Sequence, residues 1–514
     1  MMTTLDRPLR PVRRVLTDAP ATWFVVIGLG LAVATILVAR FSAAGSLVLA
    51  AGLLLTIGVA TVRWPHPVLV LVVLAPILDR FVAGRFVPSG ALALAPFFSE
   101  ALLLLVSVVL VVQSARSGTL VPALRHPATI AFGVFVAVAA ISAVVNRVPA
   151  HIALAGLVYT LDAAVLFYLV RIAGFDQRQV RLAIMTLIAV VGVGAVIAIA
   201  QAVLSPGILG LTGVVGRSGE DVRIGSIVRD PNVFGTLIGL TIPFSVFAMT
   251  RLQRPANRRV AMAVTFLLTL ALLLTYSRGS WMGVGGGLVL VALLLERRAL
   301  LMFAAIGVLA LATGYVMPRG LLPPPPSVGG VVEEAEPFNP LGSTVDRVGA
   351  IGEGRDLRWM FVMNALPIVA DHPLVGVGTG RYGGAVAWNF PTPIYAEYGT
   401  DDIIPVWYRQ RTVDNFWLHI LVETGVIGIS ALVAAIVLIA LPIVRTARRA
   451  RAGRFVVAAG VLGAAATLSL SSTTTMLLEG NTVAFLFWFL LGIGSVVAAG
   501  SRPSSQPAES AASG

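Results

Sequence analysis

The sequence contains no cysteine, which excludes a disulfide framework, a thiolate nucleophile, a zinc–thiolate site and an iron–sulfur cluster. It contains no lysine either. All 37 basic residues are arginine, so neither a lysine Schiff base nor a P-loop lysine is available. Charge is scarce: 12% of the residues are charged, against about 25% in ordinary globular proteins. A chain of 514 residues, 57% of them hydrophobic, could not cover the surface of several soluble domains with so few charges. It reads as an all-α polytopic integral membrane protein.

A bilayer core about 30 Å thick takes a helix of about 20 apolar residues. Fourteen segments fit: 21–39, 42–62, 67–78, 91–112, 128–145, 152–170, 182–203, 232–250, 260–276, 280–295, 299–317, 415–443, 455–475 and 481–499. Segment 67–78 is short and flanked by proline, as a re-entrant segment would be, so 12–14 transmembrane helices are expected. The first segment follows Arg7, Arg10, Arg13 and Arg14 without a clear signal-peptidase site, which predicts an uncleaved first helix. With the N-terminus in the cytoplasm and alternating spans, 22 of the 37 arginines fall inside and five in short outer loops. That is the bias that orients proteins of the plasma (inner) membrane. The net charge of +13 is therefore largely topological, and nucleic-acid binding is not supported. The other ten arginines lie in two long outer segments, 204–231 and 318–413. Either long loops translocate regardless of charge, or these arginines meet an anionic ligand.

The chain divides into a bundle of about eleven spans (1–317), a large extracytoplasmic loop (318–413), C-terminal spans (414–500) and a Ser/Ala/Pro-rich disordered tail (501–514). The loop opens on the stiff run Pro323 to Pro326 and a solvated acidic stretch, Glu333, Glu334 and Glu336. Leu357, Met360, Phe361 and Leu366 recur at helical spacing, with Arg358 beside Trp359, as in a helix lying on a membrane surface. Gly376 to Gly380 has no βαβ context and is no dinucleotide fingerprint. It is read as a tight turn or as an amide nest for phosphate.

Three places carry polar chemistry. Arg278, in Tyr276-Ser277-Arg278-Gly279-Ser280-Trp281, sits between two spans at the outer boundary. It either ends a span by snorkelling or offers its planar fork of donors to a phosphate. Arg223 and Arg229 precede a span whose N-terminus faces outward, an arrangement suited to anions. The plain alternative is that Asp230 caps that helix, with Pro231 at its first position. Asp414 begins a helix on which Asn415, His419 and Glu423 share one face. Ionisable groups on a span usually face the bundle interior or a wet cavity, although Asp414 could serve only as an N-cap and His419 could pair with Glu423. No metal site is expected.

At this point the residues resemble the O-antigen ligase and polymerase superfamily, membrane glycosyltransferases of lipid-linked glycan assembly. Four elements stand in the family's order: Ser277 to Trp281, Arg355 to Trp359, His372 to Gly378, and Asn415 to Gly428. The large loop lies where the family places it. The ligases typically carry a histidine before that asparagine, regarded as the base that activates the acceptor; this chain has Asp414. A carboxylate can also accept a hydroxyl proton, or the change marks a polymerase branch.

The resemblance implies a GT-C-like architecture and a donor glycan on polyprenyl pyrophosphate, transferred to a hydroxyl of a glycan or lipid acceptor. No cofactor is implied, and a polysaccharide assembly complex is a further expected partner. Arg278, Arg355, Arg358 and Arg223 would hold the pyrophosphate and stabilise its leaving charge. Asp414 would take the acceptor proton, with Asn415, His419 and Glu423 in support, and attack opposite the leaving group would invert the anomeric centre. Trp388, Tyr395, Tyr398, Trp407 and Tyr408 would stack on sugars or anchor the loop. A lipid-linked oligosaccharide flippase or other polysaccharide transporter is the competing class, and a non-catalytic scaffold the third. The transporter predicts charges deep in several spans, where this sequence has mainly Asp162.

Overall fold

The computed structural model describes residues 43–86, 95–204, 214–215, 222–316, 349, 357–390, 392–400 and 413–500. The expected span 21–39, Arg355, Trp407, Tyr408, the proline and acidic runs and the tail fall outside the described residues, as does the side chain of Trp388.

Helices dominate. The longer ones are α1 (Ala43–Arg63), α2 (Pro65–Phe86), α3 (Ala95–Arg116), α4 (Pro127–Val145), α5 (Ala150–Leu161), α6 (Val165–Ala173), α7 (Gln177–Val203) and α8 (Pro231–Arg251). They continue with α9 (Pro255–Leu274), α10 (Arg278–Leu295), α11 (Arg298–Val316), α12 (Leu357–Asp371), α13 (Phe416–Arg449), α14 (Ala452–Ser471) and α15 (Asn481–Ala499). Among the described residues the one extended pairing is antiparallel, β1 (Val214–Val215) against β2 (Val222–Arg223).

Eleven described helices are long and apolar enough to cross a bilayer, α5 and α6 counting as one through the turn Asp162–Ala164. They coincide with eleven of the fourteen expected segments. Segments 42–62 and 67–78 appear as the helices α1 and α2, of 21 and 22 residues. Large apolar side chains such as Leu104, Ile130, Val144, Leu301 and Val308 are more than half exposed. Water would not tolerate so much apolar surface; a bilayer requires it. This is a multi-pass membrane protein.

Local chemistry sets the helix starts. Asp230 caps α8 by accepting from the N–H groups of Asn232 and Val233, with Pro231 in the first position. At the head of α7, Asp176 and Gln179 form a reciprocal capping box.

The centre is built by close approach. Gly279, Gly283 and Gly287 recur every four residues on α10 and face Thr474, Ser471 and Thr467, in and just beyond the last turns of α14. A Cβ on Gly283 would stand 2.0 Å from the Ser471 hydroxyl. Small residues at this spacing let two backbones meet where lipid supplies no hydrophobic driving force. On its other side α14 receives Pro243 and Phe244 of α8 against Gly463 and Gly460. α8 is buried along nearly its whole length, as a helix apolar all round should be.

Candidate active site

The ends of α8, α9, α10, α13, α14 and α15 that lie nearest in sequence to Arg223, Arg278, Asp414 and Thr474 share one end of the bundle, and three of the four family elements converge there. Arg358, on the first turn of α12, donates from Nη2 to Asp414 Oδ2 at 3.1 Å and from Nε to the Thr474 carbonyl at 3.0 Å. Thr474 is also the residue that Gly279 packs against, one position after Arg278. The Ser471 hydroxyl reaches the Gly279 carbonyl at 3.2 Å. The turn after α14 thus joins the Arg278 element, the Arg358 helix and Asp414. Nothing in residues 471–474 marks them in the sequence as a hub, because their contribution is mostly backbone.

Asp414 is not the helix cap. Asn415 is: its side chain accepts from the Leu418 N–H at 3.0 Å. The division leaves the Asp414 carboxylate to face Arg358.

Arg223 approaches from the other side. Its Nε donates to the Thr275 carbonyl at 3.2 Å and its Nη2 to Asn232 Oδ1 at 2.7 Å. The same Asn232 oxygen accepts from the Ser277 hydroxyl at 3.0 Å. Ser277 precedes Arg278 at the N-terminus of α10, where unpaired N–H groups and the helix dipole favour anions. Ser226, Arg229 and Tyr276 hold positive φ around this junction (47°, 62° and 50°). Such conformations in non-glycine residues persist only where the surroundings enforce them, and they cluster at functional sites.

His419 and Glu423 lie elsewhere, buried beneath the loop at 1% exposure each. Each is tied more closely to other groups than to its partner. His419 Nδ1 meets the Tyr382 carbonyl, its Nε2 lies 2.8 Å from Glu479 Oε1, and Glu423 Oε1 stands 3.7 Å from Nδ1. Glu423 accepts from the Tyr382 N–H and Glu479 from the Ala385 N–H, both at 2.8 Å. Burial alone would raise the Glu479 carboxyl, but His419 and the Ala385 N–H outweigh it and hold it below the ordinary carboxylate value. These groups fasten residues 380–385 to the bundle. Glu479, in the short turn before α15, was not singled out from the sequence; an acid beside a predicted span end was the available signal.

The glycine run is a docking device. α13 breaks at Gly425 (φ 63°, ψ −172°), and the broken stretch pairs with residues 373–378. Val377 and Gly378 donate to the carbonyls of Val422 and Glu423, while Val426 and Ile427 donate to Pro373 and Leu374. Gly376 and Gly425 sit where a Cβ would meet partner backbone at 2.4 and 2.3 Å. Ser142 of α4 and Asn146, which caps the end of that helix, close the joint at the Gly376 carbonyl. The amides of Gly376, Val377 and Gly378 all donate to protein carbonyls, so the tight-turn reading holds over the phosphate nest.

α12 matches the expected surface helix in part. Phe361, Ala365 and Ile368 face the protein, whereas Trp359, Met363 and Leu366 are about half exposed, so Leu366 lies on the outward face. Tyr395 is buried and its hydroxyl accepts from the Gly383 N–H at 2.8 Å, which makes it part of the loop core and not a sugar platform. Tyr398 donates to Asp371 at 2.8 Å; partial burial and that bond push its phenol up to about 12.

An arginine and carboxylate cluster thus sits at the ends of apolar helices long enough to cross a membrane. The family model described as O-Antigen ligase matches residues 263–433, from within α9 to within α13. That stretch contains all four elements named above, and over it the chain is similar to the O-antigen ligase family. No curated protein matches the chain.

Proposed function

We propose that this protein is a glycosyltransferase that moves a glycan from polyprenyl pyrophosphate to an acceptor hydroxyl at the outer face of the plasma membrane. The observation that carries the reading is the convergence of the Arg278 turn, Arg358 and Asp414 on residues 471–474. The arginines carry fixed charge and present forks of donors that match a diphosphate. Arg358, held at Asp414 in the free protein, would turn its donors to the diphosphate as substrate enters, with Arg278 and Arg223 alongside. Asp414 then accepts the proton of the acceptor hydroxyl. The acceptor oxygen bonds to the anomeric carbon as the bond from that carbon to the pyrophosphate oxygen breaks. Polyprenyl pyrophosphate leaves with the electron pair, its charge met by the arginines and the N-terminus of α10. Attack from the opposite face inverts the centre. The positive charge that metal ions often supply at diphosphates comes here from arginine.

The acceptor separates the two activities of the family. Mass analysis of polyprenyl-linked glycans in membranes from cells lacking the protein tests the reading. Accumulated single repeat units identify a polymerase, and accumulated long chains on the lipid identify a ligase. If neither accumulates, the transferase reading fails and transport takes its place.

A further inference from the structure

At the opposite end of the bundle lies a cleft of about 1010 Å³ between α7, α8, α9, α14 and α15, at the upper end of the range of about 300–1,000 Å³ usual for small-molecule sites. Its walls are apolar along their depth, from Val180, Ile184 and Ile188 of α7 to Val264 and Leu267 of α9. Met185 and Val260, more than half exposed, stand at its side, so it opens between α7 and α9 toward the surrounding lipid. Gly192, deep on α7, lies about 16 Å along the helix from Arg181 at about 1.5 Å per helical residue. A Cβ there would meet no atom within 4 Å.

The mouth is basic. Arg181, Arg451 and Arg454 line it. Arg454 donates to the Val497 carbonyl at 2.6 Å near the end of α15, whereas no described residue pairs with Arg181 or Arg451. The one acid at the rim is Asp176, whose carboxylate already serves the α7 cap. An apolar slot reaching into the bilayer, topped by three arginines, complements a molecule with acyl chains and an anionic head. We infer that the cleft is a binding site for an anionic phospholipid, separate from the candidate active site. Basic pockets between helices hold such headgroups, and each arginine near the lipid surface adds to the attraction.

The test is titration of the purified full-length protein in neutral detergent with phosphatidylglycerol and with phosphatidylcholine, read by native mass spectrometry. Wild type should bind phosphatidylglycerol at least about tenfold more tightly than phosphatidylcholine. The combined Arg181→Gln, Arg451→Gln and Arg454→Gln variant should lose that preference. Gly192→Phe, which fills the slot and leaves the arginines in place, should lose the bound lipid as well. Equal affinity for the two lipids overturns the inference. So does loss in the arginine variant with full binding in Gly192→Phe, because that result describes adsorption to a basic surface. Failure of wild type to bind either lipid, as when residues 1–42 fill the slot, also overturns it.

Discussion

At the scale of single residues, the two kinds of buried charge in this protein answer to different demands. Arg278, Arg358 and Asp414 are partly exposed at helix ends, where a substrate can reach them. His419, Glu423 and Glu479 are sealed beneath the loop. Arg278→Ala should lower glycan transfer by roughly 100- to 1,000-fold, the usual cost of deleting one donor to a developing negative charge. Arg358→Ala should do the same, and both should leave the melting temperature of the purified protein nearly unchanged. Asp414→Asn should abolish transfer while still binding the lipid-linked donor. Retention of wild-type glycan assembly in cells by any of the three would remove that residue from the mechanism. Glu479→Ala should behave oppositely. It strands His419 without its closest carboxylate and should cost about 3–5 kcal/mol, read as a lowered melting temperature. The folded value of Glu479 is lowered, so its contribution is present above the ordinary glutamate range and is lost as pH falls through the lowered value. The wild-type protein should therefore lose more stability than Glu479→Gln on acidification below about pH 4.5.

At the scale of elements, the loop and α13 form one unit because each has a glycine where the other's backbone must pass. Gly425 combines φ 63° with ψ −172°, a region open essentially to glycine alone. Gly425→Ala should cost about 1–3 kcal/mol from strain, before the clash with Leu374 is counted. The expected readout is faster protease cleavage within 379–400, with the α10–α14 packing intact. Unchanged cleavage would mean that the loop is held by other contacts. The α10 glycines act by the same principle. Gly283→Leu should separate α10 from α14, displace the Arg278 turn from Thr474, and so lower transfer without touching a polar group.

At the scale of the whole molecule, all the candidate catalytic chemistry lies at one end of the bundle, and the opposite end carries Arg254, Arg258, Arg297, Arg298, Arg448 and Arg449 at helix termini. We propose, from the arginine bias, that this second end faces the cytoplasm. Because the chain has no cysteine, single reporters can check the orientation directly. In intact cells a membrane-impermeant maleimide should label Thr473→Cys, and should label Arg258→Cys only after permeabilisation. The reverse pattern would put the site on the cytoplasmic side and end the proposal of transfer at the outer face.

Span positions, orientation bias and family elements were legible in the sequence because each is a local property. About 20 apolar residues are a membrane helix wherever they occur, and an arginine count needs no contact map. The segments between 91 and 499 were placed this way, as were Arg278 and Asp414 as residues of interest. Partnership was not legible. Arg358 meets an acid 56 residues away and a carbonyl 116 residues away, and no periodicity encodes such pairs. His419, Glu423 and Asn415 share a helix face, yet one caps the helix and two are sealed under a loop, because Gly425 breaks the helix and lets residues 373–378 dock there. Glu479 carries no motif at all. The sequence by itself determined that this chain lives in a membrane and which residues are chemically able to act. Only the tertiary structure decided which of them meet, since close approach through glycine and backbone carbonyls depends on the shape of both partners at once.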